Sequence, residues 1–290
     1  MNATTTKKLP LCELNPKMLK RNKVYAFIGR RGAGKSHLME MIVYFLRRIP
    51  NCVVFSESEE GNEAWGKHVP RTFIHALYST EKMQKIYERQ KQEKRKVKQN
   101  PKYKPEQVLV VLEDQTFDDK LSRDTMIKKV LFNGRHYGIT MCITMQYTKA
   151  LSPALREQID YIFCLQQKNA MVRKKMHEDW FGIFPDFKVF ESTLMQCTND
   201  YGALVMDQTA KSWDIQENVF YYRAPAVIPR YYVGNAKYWF YHYMSYKGED
   251  AAAEDADDTR EILQITRKLP KLEVVKKPPR SVSQQKKMFR

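Results

Sequence analysis

The sequence predicts an α/β protein whose mainly parallel sheet is covered by helices on both faces. Three observations carry this. Short apolar runs recur along the chain, stretches of helical periodicity separate them, and a glycine-rich turn joins the first run directly to the first helix. A strand buried on both faces reads as a continuous apolar run, and parallel strands need crossovers of helical length between them.

Lys23–Ile28 (KVYAFI) reads as the first buried strand. Lys35–Arg48 then places Leu38, Met39, Ile42, Phe45 and Leu46 at helical spacing, and Pro50 and Asn51 end that helix. Cys52–Phe55 (CVVF) is a second strand. The segment Lys82–Lys104 holds ten basic residues against Glu88 and Glu93 alone, and its low apolar content predicts an exposed helix and loop outside the core. Val108–Leu112 (VLVVL) is a strongly apolar strand that stops at Glu113-Asp114. An amphipathic helix around Ser122–Phe132 leads to the strand Gly138–Met145, which stops at Gln146. Pro153 starts a short helix, Asp160–Leu165 is a further strand, and Lys168–Cys197 reads as two helices broken around Pro185. Tyr201–Met206 and Asn218–Tyr222 add strands.

The chain then changes character. Glu249–Glu261 holds seven acidic residues and Arg260, and Arg267–Arg290 holds nine basic residues against Glu273. Block charge without periodicity predicts a flexible tail. The expected organisation is one domain over 1–247, with a basic insertion at 82–104, followed by a charged, disordered tail over 248–290.

Composition bounds the function. A hydrophobic content of 43% excludes a wholly disordered chain. The five cysteines (Cys12, Cys52, Cys142, Cys164, Cys197) form no C-x-x-C pair, which argues against a disulfide scaffold or a zinc knuckle and fits a reducing compartment. No apolar run reaches the roughly 18 residues of a membrane span, and MNATTTKKLPLCELNPK lacks the apolar core of a signal peptide, so a soluble intracellular protein is expected. The formal charge of +17 favours a polyanionic partner over a merely soluble surface, because the charge is unevenly spread.

Gly29-Arg30-Arg31-Gly32-Ala33-Gly34-Lys35-Ser36 matches G-x-x-x-x-G-K-[ST] at every fixed position. Glycines let the backbone wrap so that successive N–H groups point at phosphate oxygens, and the helix after the loop adds its positive end. Lys35 would reach the β- and γ-phosphates of ATP, and the Ser36 hydroxyl would ligate Mg²⁺. The acids that end Val108–Asp114 supply the next element: Glu113 as the metal-side acid and Asp114 as the one that polarises attacking water. Gln146, at a strand end, would contact the γ-phosphate or orient that water.

Taken in order and spacing, GRRGAGKS, VLVVLED (Val108–Asp114), GRHYGITMCITMQ (Gly134–Gln146) and SPALREQIDYIF (Ser152–Phe163) resemble the poxvirus-type DNA-packaging ATPases of nucleocytoplasmic large DNA viruses, within the FtsK–HerA superfamily. The resemblance covers about Lys23 to Met206. It implies a RecA/FtsK-like P-loop fold of the additional-strand, catalytic-acid type, and ATP hydrolysis with Mg²⁺. It further implies a homo-oligomeric ring, a hexamer or pentamer, around double-stranded DNA. The products would be genomes exported into preformed capsids, with capsid or portal-like partners, at viral assembly sites in the host cytoplasm and in the virion. Glu113 departs from the family pattern, which more often carries Asp there.

Ring ATPases complete each site with an arginine from the neighbouring subunit. Arg135 and Arg156 are the candidates, because both are expected beside strand ends on the nucleotide edge; a salt bridge or a DNA-phosphate contact is the plainer role for each. Arg30 and Arg31 line a subunit contact or face solvent. His136 and His177 lack metal-spaced partners and read as structural or surface residues. Lys82–Lys104 is either a DNA-contacting arm or a solvated linker, and the aromatic cluster Tyr231–Tyr246, with Trp239 and Phe240, reads as core or subunit interface.

The leading function is an ATP-driven motor that translocates double-stranded DNA. A P-loop nucleotide or nucleoside kinase is the rival enzyme, and a nucleotide-switched DNA-binding module the rival without turnover.

Overall fold

A computed structural model describes residues 9–113, 115, 122–146 and 151–245. Its strands are β1 (Cys12–Glu13), β2 (Val24–Ile28), β3 (Asn51–Ser56), β4 (Ile74–His75), β5 (Val108–Glu113), β6 (Ile139–Met145), β7 (Tyr161–Cys164), β8 (Gly202–Asp207) and β9 (Val219–Arg223). They form a single sheet in the order β1-β9-β8-β7-β2-β6-β5-β3-β4. From β4 across to β7 every pairing is parallel; β8 is antiparallel to both of its neighbours, and β1 is parallel to β9.

The continuous apolar runs are a consequence of this layering. Every residue of β2, β5 and β6 is buried, and successive side chains enter opposite cores because the strand period is two. Val24, Ala26 and Ile28 join one core with Val108, Val110 and Leu112, whereas Tyr25, Phe27, Leu109 and Val111 join the other. The parallel register sets Tyr25 beside Tyr161 and Phe27 beside Phe163, so that the rings stack at 5.0 and 4.9 Å.

The helices divide between these two cores. Helix α1 (Lys35–Leu46) supplies Leu38, Met39, Ile42, Val43 and Leu46 to the core that holds Tyr25 and Phe27, and the short α2 (Glu59–Asn62) comes after β3. The opposite core receives α3 (Thr80–Gln99), α4 (Thr125–Asn133), α5 (Pro153–Arg156), α6 (Ala170–Trp180) and α7 (Phe187–Cys197). The short α8 (Ile215–Asn218) joins β8 to β9, and α9 (Ala236–Ser245) is the last described element. No described helix is long and apolar enough to cross a membrane.

One strand departs from the parallel expectation, and chain direction explains it. A single helix between strands returns the chain to the opposite edge and gives parallel pairing. Between β7 and β8 the chain makes two helices, α6 and α7. It thus comes back to the edge it left, and β8 must run the other way.

The basic segment is also corrected. It is not outside the core: α3 buries Met83 and Tyr87 against the sheet. At the same helical spacing Gln90 donates to the carbonyls of Glu106 and Tyr137 at 2.9 and 3.0 Å. Buried Glu93 accepts from Lys96, Tyr103 and the Glu106 N–H. Polar residues whose bonds are met internally occupy the inward face, so apolar content alone understates how firmly this helix is seated. Burial alone would raise the Glu93 carboxyl, but these donors outweigh it and hold it at about 2. Lys82, Lys85, Lys91, Lys94, Arg95 and Lys98 remain exposed.

The aromatic cluster splits. Tyr231 and Val233 enter the α1-side core, whereas Phe240, Tyr241 and Tyr243 on α9 are exposed. Tyr246 and the residues of 248–290 lie outside the described chain.

Candidate functional site

The loop 29–36 leaves β2 at the sheet edge where the parallel strands end. Its backbone is anchored on both sides: the Gly29 N–H donates to the Met145 carbonyl of β6 at 3.2 Å, and the Leu165 N–H donates to the Ile28 carbonyl at 2.8 Å. Gly34 has a φ of +91°, a left-handed conformation that disfavours other residues, and a Cβ there would come within 3.1 Å of the Tyr201 ring. A Cβ at Gly29 would meet the Leu165 side chain at 2.9 Å. Helix α1 begins at Lys35 with no side-chain cap and no acid in its first turn. Its positive N-terminal end is thus directed into the loop, the arrangement that receives phosphate.

Lys35 is 7% exposed and its Nζ donates to the Arg30 carbonyl at 3.1 Å, lying back across the loop. Arg30 is fixed sideways, its Nε and Nη2 donating to Gln166 Oε1 at 3.2 and 2.7 Å. Arg31, Gly32, Gly34, Lys35 and Ser36 line a cleft of about 690 Å³. Gln146, exposed at the end of β6, lines it from the neighbouring strand.

β6 lies between β2 and β5, so one strand separates the loop strand from the acid strand. Glu113 ends β5 opposite Ser56 of β3. It is 2% exposed, accepts from Ser56 Oγ at 3.2 Å, and accepts a second bond from the indole Nε1 of Trp65. Ser56 Oγ lies 3.2 Å from Ser58 Oγ, and Ser58 lines the cleft, so a chain of two hydroxyls links the buried carboxylate to it. Trp65 is held in turn by Glu59, whose carboxylate accepts from the Trp65 and Gly66 N–H groups at 2.8 and 2.7 Å. Asp114 lies outside the described residues.

The cleft also holds residues that no sequence motif singles out: His37, Glu57, Ser58 and Tyr201. Glu57 and Ser58 come directly after β3, and their signal is the strand Cys52–Phe55 ending in a polar, acidic run. Tyr201 sits before β8 with Asp200, both at positive φ (+61° and +48°). Such left-handed conformations cost on the order of 1 kcal/mol per residue.

The arginine candidates do not sit at this edge. Arg135 lies in the 3-10 turn that precedes β6, at the opposite end of the strand from Gln146, and is exposed. Arg156 precedes β7 and is half-buried, in an ion pair with Asp179 of α6, which also pairs with Lys175 at 3.0 Å. Residues before a parallel strand lie at the far edge from residues after it, which corrects the expected placement of both.

Comparison with known proteins adds four findings. The family described as Poxvirus A32 protein matches residues 14–178. Uncharacterized protein L437 of Acanthamoeba polyphaga mimivirus is 32% identical over 201 residues, 68% of this chain and 71% of the relative. Uncharacterized protein 015R of frog virus 3 is 31% identical over 231 residues, 78% of this chain and 69% of the relative. Among solved structures, the genome packaging NTPase B204 of Sulfolobus turreted icosahedral virus 2, in complex with sulfate, superposes with a TM-score of 0.50 at 13% identity. That alignment spans 71% of this chain and 98% of B204, and it is a likeness of fold.

Proposed function

The chain belongs to the poxvirus A32 protein family, and we propose that it is an ATP-hydrolysing motor that drives double-stranded DNA into capsids. The observation that carries this reading is convergence on one cleft. Lys35 and Ser36 of the loop meet Gln146 of the adjacent strand there, and β6 separates the loop strand from the acid strand.

The residues divide the work. The amides of Gly29–Ser36 and the start of α1 bind the phosphates, and Lys35 exchanges the Arg30 carbonyl for phosphate oxygens. The oxygen donors suit a hard divalent cation: Ser36 and Glu57 open on the cleft, and Glu113 is linked to it through Ser56 and Ser58. Ser36 would hold Mg²⁺, with the Glu113 carboxylate behind it through Ser56 and Ser58, and the ion would supply neutralisation of the charge that develops on the transferring phosphoryl group. Asp114 acts as the acid that polarises water, and Gln146 orients that water and senses the γ-phosphate. Arg135 is the better-placed arginine for a neighbour's site, since Arg156 is engaged by Asp179.

The motor assembles as a homo-oligomeric ring and works with capsid or portal-like proteins at assembly sites in the host cytoplasm. Duplex DNA is engaged through its phosphates by exposed cations, for which α3 offers Lys85, Lys91, Lys94 and Lys98. The test is ATP hydrolysis by the full chain with and without linear duplex DNA, at two salt concentrations. Duplex DNA should stimulate turnover, and Lys91→Gln with Lys94→Gln should lower the salt slope by about 0.9 for each phosphate no longer neutralised. Turnover indifferent to DNA would remove the motor reading and leave a nucleotide-processing enzyme.

A further inference from the structure

Two successive glutamines, Gln166 and Gln167, come just after β7 and serve different partners. β2 lies between β7 and β6, and the Leu165 N–H still donates to the Ile28 carbonyl, so the turn after β7 runs beside the start of the phosphate loop. Gln166 turns its amide oxygen to that loop, where it accepts from the Arg30 guanidinium. Gln167 is 8% exposed, and its Nε2 reaches past the end of β2 to donate to the Gln146 carbonyl at 3.2 Å. The partners dictate these orientations. A guanidinium only donates and a carbonyl only accepts, so one amide offers its oxygen and the other its N–H.

The Gln146 backbone stands where the sheet no longer holds it. The last bond from the β2 chain to β6 runs from the Gly29 N–H to the Met145 carbonyl, and beyond it the chain after β2 becomes the phosphate loop. Gln146 comes one residue later, in a bend, with its side chain exposed on the cleft. Among the described residues Gln167 makes the bond to its carbonyl. Gln167 is itself fixed from behind. Arg173 of α6 donates to the carbonyls of Gln167 and Lys168 at 3.0 and 2.6 Å, and its Nε donates to Glu191 of α7 at 2.7 Å. Two helices thus brace the turn that presents the amide to the strand end.

The geometry points to Gln167 as a positioning residue for turnover: by fixing the Gln146 backbone it sets where the Gln146 side chain stands in the cleft. The inference rests on Gln146 orienting water at the γ-phosphate. A misplacement of about 1 Å can cost on the order of 10²-fold in rate, so a single bond at the base of an exposed side chain acts on kcat. Nucleotide binding, which belongs to the loop and the start of α1, does not pass through it.

Steady-state ATP hydrolysis and ATP titration of the full chain, both with Mg²⁺, test this. Gln167→Met keeps the length and packing of the side chain and removes the donor. It should lower kcat about fivefold, the scale of one lost hydrogen bond, with KM and ATP affinity within about twofold. Gln167→Glu keeps the shape and sets an acceptor against the carbonyl, and should lower kcat at least as far. Gln146→Ala should lower kcat about twentyfold. Adding Gln167→Met to Gln146→Ala should change kcat by less than about 1.5-fold, because the side chain that Gln167 positions is gone. A purely structural role would instead let the two losses multiply, and that result would overturn the inference. So would wild-type kcat in both Gln167→Met and Gln167→Glu, or a weakening of ATP binding that matched the fall in kcat; in each case the role of Gln146 stands. Wild-type kcat in Gln146→Ala would overturn the γ-phosphate role itself, and the inference with it.

Discussion

The parallel and antiparallel parts of the sheet serve the same edge by different means. From β3 to β7 the strands run one way and deliver the residues just after each strand: the loop after β2, Glu57 after β3, Gln146 after β6. β8 runs the other way and delivers the residues just before it, Asp200 and Tyr201. In the parallel part a functional residue is announced by an apolar run that stops at it. In the antiparallel part it stands before the run, in a turn with no motif, and reaches the site only because two helices, α6 and α7, reverse the chain.

The largest expected effect tests the parallel part. Lys35→Ala should lower ATP turnover by about 10³-fold and weaken tripolyphosphate as well as ATP, as removal of a preorganised charge from a transferring phosphoryl group does. Turnover and affinity that stay at the wild-type level would remove the loop after β2 from the phosphate-holding role.

Next is the acid strand. Glu113→Gln should reduce turnover by about 10²-fold while ATP affinity, measured by titration, stays within about threefold. Turnover unchanged in Glu113→Gln would confine the parallel part's role to binding.

Trp65→Phe sharpens the same point with a smaller change. It removes the indole donor to Glu113 and keeps most of the buried ring. A hydrogen bond to a charged group contributes about 1.5–3 kcal/mol. Part of that should appear as a fall of several degrees in Tm, and part as about a fivefold lower kcat with KM unmoved. A shift in KM alone would separate Trp65 from the carboxylate it touches.

The smallest effect sits at the far end of the parallel part. His75 of β4 is held at about 4, below its ordinary value near 6.5, by burial first and then by the Lys82 ammonium. The folded state thus binds its proton less readily than the unfolded chain, so stability is lost as pH falls from about 6.5 towards 4. His75 is partly exposed, and the expected loss is a Tm decrease of about 2 °C across that window, absent in His75→Gln. Nucleotide affinity should not change with it, because β4 lies three strands from β6 and contributes no residue to the cleft.

This contrast also explains how much of the molecule was legible in the sequence. The loop, α1, β5 and β6 were readable because each is a contiguous pattern: fixed glycine spacing, helical periodicity, or an apolar run with a polar stop. Glu57 and Ser58 join the cleft through register, with Ser56 beside Glu113, and register is not written in either strand alone. Arg135 and Arg156 stand at the far edge because each precedes its strand, and nearness to a strand does not carry the strand's direction. The fit of α3 was hidden by Gln90 and Glu93, polar residues whose partners come from the distant Glu106 and Tyr137. The direction of β8, by contrast, was within reach, since Lys168–Cys197 already read as two helices.

The bond from the Trp65 indole to Glu113 has a practical consequence. It makes a native fluorophore a direct neighbour of the carboxylate. Of the other three tryptophans, Trp213 is almost fully in solvent, Trp180 lies in the core on the opposite side of the sheet, and Trp239 sits on α9, its indole donating to the Val233 carbonyl. With those three replaced by phenylalanine, a shift in ultraviolet emission on mixing with ATP reports the environment of Glu113 in real time, with no dye attached.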